Sequence, residues 1–162
     1  MKLLSWNCQG LGRALTVKNL KNMVKKDRPS LIFLMETKIN LERIKRLRLK
    51  CGFNHDLYVE PRGLSGGLAV WWSANISLTV LYKSRNIIHV VVDSISSDLP
   101  NYISFVYGPP KEGDRRIVWN ILRSLASSVS GSWLAVGDFN DLISQNEKEG
   151  GNPRSMRKIL NF

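Results

Sequence analysis

The sequence is short of the residues from which many small sites are built. Two cysteines, Cys8 and Cys51, and two histidines, His55 and His89, stand in 162 residues. Two thiols make neither a disulfide framework nor a zinc site alone, so no disulfide partner is expected and an intracellular, reducing location is the default. Long apolar runs are also missing. The longest are stretches such as Leu31-Ile32-Phe33-Leu34-Met35, far below the roughly 18 residues that a membrane-spanning helix needs. The start, Met1-Lys2-Leu3-Leu4-Ser5-Trp6-Asn7, has too short an apolar part for a secretory signal. Repeats, low-complexity tracts and linkers are absent, and 43% hydrophobic with 23% charged residues is ordinary globular composition. A single domain over 1–162 is expected.

Acidic residues are scarce in one part of the chain. Lysine and arginine total 24 against 13 acids, a net charge of +11, and residues 1–50 hold 13 of the bases but only three of the acids. Such asymmetry suits a polyanionic partner, nucleic acid first and an anionic membrane surface second. Solvated helix faces are the plainer explanation.

The periodicity divides the chain into short elements. Residues 2–6 read as a buried strand. Leu15, Val17, Leu20, Met23 and Val24 recur at helical spacing up to Asp27-Arg28-Pro29. Pro29 ends that helix, 31–35 make a second buried strand, and 41–50 an amphipathic helix with Gly52 as its cap. The basic faces of both helices read as solvated. Residues 54–60, 68–72, 76–83, 87–93 and 102–107 read as five successive strands separated by turn residues, with Gly66-Gly67 admitting the chain to the second of them. Trp71 and Trp72 should divide between core and surface. A helix over 114–127, a buried strand over 133–136 and a last helix beginning near Pro153 complete the chain. The order predicts an α/β layered sandwich, two mixed β-sheets flanked by helices.

Four of these strands end in a group able to do chemistry. LLSW leads into Asn7, LIFLM into Glu36, ISFV into Tyr107, and WLAVG into Asp138 with Asn140 two residues later. In layered α/β folds, ligands bind beyond the carboxyl ends of strands. Carboxylates and amide oxygens are hard donors that suit magnesium, and amide N–H groups and a phenol can donate to a phosphate as its charge grows. Singly, Asn7 and Asp138 could cap turns, Glu36 could be an exposed strand-end charge and Tyr107 a packing aromatic. The coincidence of four such ends favours a site. Arg115 and Arg116, shortly after Tyr107, are candidates for phosphate contacts. Cys8 and Cys51 read as buried thiols, and His55 and His89 as ordinary strand residues.

SWNCQGLG at 5–12, LIFLMETK at 31–38, GGLAVWW at 66–72, FVYGPP at 105–110 and WLAVGDFN at 133–140 follow in order. Together they resemble the endonuclease/exonuclease/phosphatase family, and within it the apurinic-type endonuclease domain of plant LINE-type (non-LTR) retrotransposons. The resemblance implies that Glu36 holds Mg2+ (or Mn2+) with Asn7 beside it. It implies that Asp138 orients the attacking water or serves the leaving oxygen, and that Asn140 and Tyr107 bond the scissile phosphate. The implied reaction is metal-dependent phosphodiester hydrolysis that nicks DNA and leaves a 3′-hydroxyl. The implied partners are DNA and, in a complete element, a reverse transcriptase region. The implied location is the nucleus, with no membrane involved.

The chain departs from that pattern twice. Gln9 stands where many repair members carry an acid, which removes one carboxylate near the metal. The family's C-terminal strands and their Ser-Asp-His motif are unmatched, so the chain is expected to be C-terminally truncated. Loss of an acid–base group costs roughly 10²- to 10⁴-fold in rate, and loss of a charge-stabilising group about 10²- to 10³-fold. Weak or absent nuclease activity is therefore expected, as is an unpaired apolar sheet edge. Two alternatives stay open: a non-catalytic nucleic-acid-binding remnant of the same fold, and a phosphodiesterase or phosphatase acting on a substrate other than DNA.

Overall fold

Pro29 sets the first boundary in the computed structural model, which describes residues 1–63, 65–93, 101–142 and Glu147. Helix α1 (Ala14–Asp27) ends as Arg28 turns left-handed at φ 47° and donates its N–H to Val24 O. The chain then reverses and lays β2 (Leu31–Met35) parallel to β1 (Leu3–Asn7), with Leu3 opposite Leu31 and Asn7 opposite Met35. Helix α2 (Leu41–Lys50) begins at Asn40, whose side chain accepts from the Arg43 N–H. It ends in a Schellman turn: Gly52 N–H donates to Leu49 O, Phe53 N–H donates to Arg48 O, and Gly52 takes φ +82°.

The run of five strands is shared between two sheets. Strands β3 (His55–Val59) and β4 (Leu68–Trp72) pair antiparallel and complete the first sheet, in the order β1-β2-β4-β3. Strands β5 (Ser77–Lys83), β6 (Ile87–Asp93) and β7 (Asn101–Tyr107) form an antiparallel run, and β8 (Ser132–Asp138) returns parallel to β7 after helix α3 (Glu112–Ala126). The fold is thus the expected one, two mixed sheets with flanking helices. The turn at 98–101 lies outside the described residues except for Asn101, and the helix near Pro153 lies wholly outside them. Among the described residues no helix is long and apolar enough to cross a membrane.

Strand alternation assigns each side chain to one of three apolar layers. Phe33, Val70, Ile88 and Phe105 meet between the sheets, with the Phe33 and Phe105 rings 5.1 Å apart. Ile32, Leu34 and Trp71 point the other way, beneath Leu20 of α1 and Ile44 and Leu47 of α2. Ile87 and Val106 lie under Val118 and Trp119 of α3. This arrangement corrects three expectations. Trp71 and Trp72 do face opposite ways, but both are buried because helices cover the outer face of the first sheet. Strand β1 is half-buried, and β8 is exposed over Ser132–Ala135, since each has a neighbouring strand on one side only among the described residues. Cys51 is only half-buried. The basic side chains Lys18, Lys21, Lys25, Lys45 and Arg46 are exposed on α1 and α2, as solvated faces would be.

Candidate active site

Each sheet contributes one parallel pair, β1 with β2 and β7 with β8, and β1 packs against β8 across the sandwich. The carboxyl ends of all four strands therefore meet at one rim. Asn7 closes β1, Glu36 follows β2, Tyr107 closes β7 and Asp138 closes β8.

Their side chains form one hydrogen-bonded group. Asn7 Nδ2 donates to Glu36 Oε1 at 3.2 Å and to Asp138 Oδ2 at 2.9 Å. Tyr107 Oη donates to Glu36 Oε1 at 2.8 Å. The Gln9 backbone N–H donates to Asn7 Oδ1 at 3.3 Å and so fixes which way the amide faces. Lys38 Nζ lies 2.7 Å from Glu36 Oε2. Asn140 bonds Asp138 Oδ1 through its backbone N–H at 2.9 Å and Gly108 O through Nδ2 at 2.7 Å. The sequence positions Asn7, Glu36, Tyr107, Asp138 and Asn140, scattered over more than 130 residues, are thus brought together.

The arginines divide differently. Arg115 is buried; its guanidinium donates to Asn140 O and its Nε lies 3.4 Å from Asp141 Oδ2. It braces the turn after β8 from inside the protein instead of facing a ligand. Arg116 is exposed on α3, and among the described residues no hydrogen bond joins it to the group around Glu36. The histidines stand apart as well. His55 stacks on Trp72 at 5.5 Å, and His89 is buried with Nδ1 2.8 Å from Ser104 Oγ. Cys8 Sγ donates to Met35 O, and burial pushes the thiol up to about 11, which makes it a poor nucleophile.

Electrostatics suit anion and cation together. Burial acts to raise the Glu36 carboxyl, but hydrogen bonds from Lys38, Tyr107 and Asn7, with the Lys38 charge, outweigh it and hold Glu36 below the usual carboxylate range. Burial, then the bond to Glu36 and the charges of Glu36 and Asp138, push the Tyr107 phenol far up, so it remains an O–H donor. Backbone strain gathers here too. Of five non-glycine residues with positive φ among the described residues, Gln9 (49°), Glu36 (52°), Lys38 (52°) and Asn140 (51°) lie in or beside the group. Such conformations cost roughly 1–3 kcal/mol each and cluster at functional sites. Gln9 as a backbone donor and Lys38 as the partner of Glu36 had no sequence signal beyond their closeness to Asn7 and Glu36.

Among the described residues no three His, Cys, Asp or Glu side chains gather into a metal cage. The donors that face each other are instead the carboxylates of Glu36 and Asp138, with Asn7 turning its Nδ2 to both and its oxygen to the Gln9 N–H. One or two carboxylates with water and phosphate oxygens completing the shell is what Mg2+ takes, so these residues fit a hard divalent ion and not zinc. The Lys38 ammonium shows that Glu36 already holds positive charge.

The profile of the endonuclease/exonuclease/phosphatase family matches residues 4–155. No curated protein sequence matches the chain. Solved structures do. The 3′ phosphatase NExo from Neisseria, bound to a product DNA hairpin, is similar at TM-score 0.65 and 15% identity over 89% of this chain and 59% of its own. An AP endonuclease from Archaeoglobus fulgidus gives TM-score 0.65 and 14% identity over 89% and 59%. The human Nocturnin catalytic domain with bound sulfate gives TM-score 0.62 and 12% identity over 88% and 64%. The chain therefore spans about 60% of the length of the structures it resembles.

Proposed function

The chain belongs to the endonuclease/exonuclease/phosphatase family, and on that premise we propose that its site is one for hydrolysis of phosphodiesters in DNA with a divalent ion, Mg2+ or Mn2+, leaving a nick with a 3′-hydroxyl, with weak turnover in this chain because no histidine joins the group around Glu36 among the described residues. The observation that carries this reading is the bridge from Asn7 Nδ2 to both Glu36 and Asp138, which joins carboxylates of the two sheets in one group.

Glu36, with Asn7, would hold the ion, which supplies charge neutralisation at the phosphoryl oxygens. The chain's own groups do the rest. Tyr107, kept protonated, would turn its single O–H from Glu36 to a phosphate oxygen when the ion takes Glu36, and the remaining Asn140 amide hydrogen donates to another. Asp138, held by Asn7 on one oxygen and by the Asn140 backbone on the other, orients a water for in-line attack and accepts the proton that the water loses, which can then pass to the leaving oxygen. The ordered motifs support an origin in a plant LINE-type retroelement, acting in the nucleus, where the 3′-hydroxyl primes a reverse transcriptase region.

A supercoiled plasmid incubated with Mg2+ tests the reaction. Open circles that fail to form with EDTA or with Glu36→Gln are expected, the variant losing on the order of 10²-fold or more. Nicking equal in wild type and Glu36→Gln would reject it. Binding of DNA with no nicking selects the second reading, a non-catalytic remnant. The contacts of both histidines favour that reading, His55 against Trp72 and His89 against Ser104 and Tyr102, because neither joins the group around Glu36 as an acid or base.

A further inference from the structure

An arginine stands on the apolar face of α3. Arg115, Val118 and Trp119 are the buried residues of that helix and recur at i, i+3 and i+4, so they share its inner face. Arg116, the next residue, is exposed. A buried charge is unfavourable unless it is paired and hydrogen-bonded, so the partners of Arg115 show what it serves. They lie directly after Asp138. The guanidinium donates to Asn140 O, and its Nε stands 3.4 Å from Asp141 Oδ2. Four residues further along α3, Trp119 stacks on Phe139 with ring centroids 5.9 Å apart. The helix thus grips three successive residues, Phe139, Asn140 and Asp141. Within that turn Asn140 takes φ 51°, a left-handed conformation that its surroundings must hold, and its own N–H donates to Asp138 Oδ1.

We propose that Arg115 is a positioning residue for the cation site: from inside the protein it fixes the turn after β8 and so sets where the Asp138 carboxylate stands against Glu36. The proposal rests on the reading of Glu36 and Asp138 as one site and adds what holds the second carboxylate in place. The path is short. Arg115 holds Asn140 O, the Asn140 N–H holds Asp138 Oδ1, and Asn7 joins Asp138 Oδ2 to Glu36. A buried ion pair kept for stability alone needs only opposite charges. Here one group meets a carbonyl and a carboxylate on neighbouring residues, which suits the planar fork of a guanidinium, whereas an ammonium is a point charge on a flexible stem. Arg115→Lys would keep the charge and lose that geometry.

The Asn7 side-chain amide is the probe, read by proton–nitrogen correlation NMR in the metal-free full chain, its signals identified by their loss in Asn7→Ser. In Arg115→Lys these signals are expected to shift and to exchange faster with water, because the bond to Asp138 is weakened. Mn2+ titrated into the same variant should bind about 10- to 100-fold more weakly, the loss usual when an outer partner of a metal site is removed. Arg115→Met/Asp141→Asn takes out the buried charge pair as a whole and should behave alike. Arg48→Lys is the control. Its pair with Asp56, 2.9 Å from Nε to Oδ1, joins α2 to β3, so the variant should lower the melting temperature and leave both readouts as in wild type. Unmoved Asn7 signals, Mn2+ affinity equal to that of wild type, or equal effects in Arg48→Lys would overturn the proposal. So would failure of both Arg115 variants to fold by circular dichroism, the behaviour of a residue needed for stability alone. A wild-type chain that takes up no Mn2+ rejects the cation reading instead, and the Asn7 signals then decide on Arg115 by themselves.

Discussion

Glu36 accepts from Asn7 and Tyr107 on one oxygen and pairs with Lys38 on the other. Among the described residues, Asn7 alone of its partners also holds Asp138. Replacing it with Ala leaves two carboxylates facing each other without the shared donor. A loss of about 1–3 kcal/mol in urea unfolding is expected, and Mn2+ should restore part of it by binding the folded state. Lys38→Met removes the cation that competes for Glu36, so tighter Mn2+ binding is expected by calorimetry. A different residue governs the pH response. His89 is wholly buried, with Tyr102 stacked on it, the Trp133 ring edge against it and Nε2 without an acceptor among the described residues. Burial lowers its pKa. The unfolded chain therefore takes up the proton first, and stability falls as pH drops below about 6.5, the ordinary histidine value. Melting curves from pH 7.5 to 5.5 should show this decline, and His89→Gln should flatten it.

At the scale of elements, the rim depends on how closely β7 and β8 end. Gly108 donates its N–H to Asp138 O at 2.8 Å, and a Cβ on it would sit 1.9 Å from Phe139 O. Gly108→Ala must push the two strand ends apart. It is expected to lower stability by roughly 1–3 kcal/mol and to reduce nicking beyond what the lost folded fraction explains. Gly67 holds the other side, where a Cβ would meet Thr37 Oγ1 at 2.4 Å. Most of these elements were legible in the sequence. Pro29, the isoleucine- and valine-rich run 87–93 and the apolar faces of α1 and α2 each place an element within a residue or two. The end residues Asn7, Glu36, Tyr107 and Asp138 were legible for the same reason: a polar group after an apolar strand marks a carboxyl rim. What local pattern could not give was partition between sheets, since the residues of a strand do not say which other strand it pairs with. It could not give the burial of Arg115 either, because that depends on Asp141 and Asn140 across a turn. The brace looked like a surface cation.

For the whole molecule, the arrangement is two half-sites made one by packing. The parallel pair of each sheet supplies half of the donors, and the apolar layer between the sheets fixes their separation. Along the flank, β8 exposes Trp133 at 37% and Leu134 at 47%. Among the described residues β8 is an edge strand, and apolar residues on such a strand favour pairing with another chain. Sedimentation should show association that rises with protein concentration, and Leu134→Lys should reduce it without changing the circular dichroism spectrum.

The gathering of both sheets' carboxylates around one hard cation is tested most directly by counting bound Mn2+ by electron paramagnetic resonance. One ion per chain is expected for the wild type, with its occupancy lost in Glu36→Gln and weakened in Asp138→Asn. A wild-type chain that is folded and takes up no Mn2+, or a Glu36→Gln variant that binds it as tightly as wild type, would contradict the account.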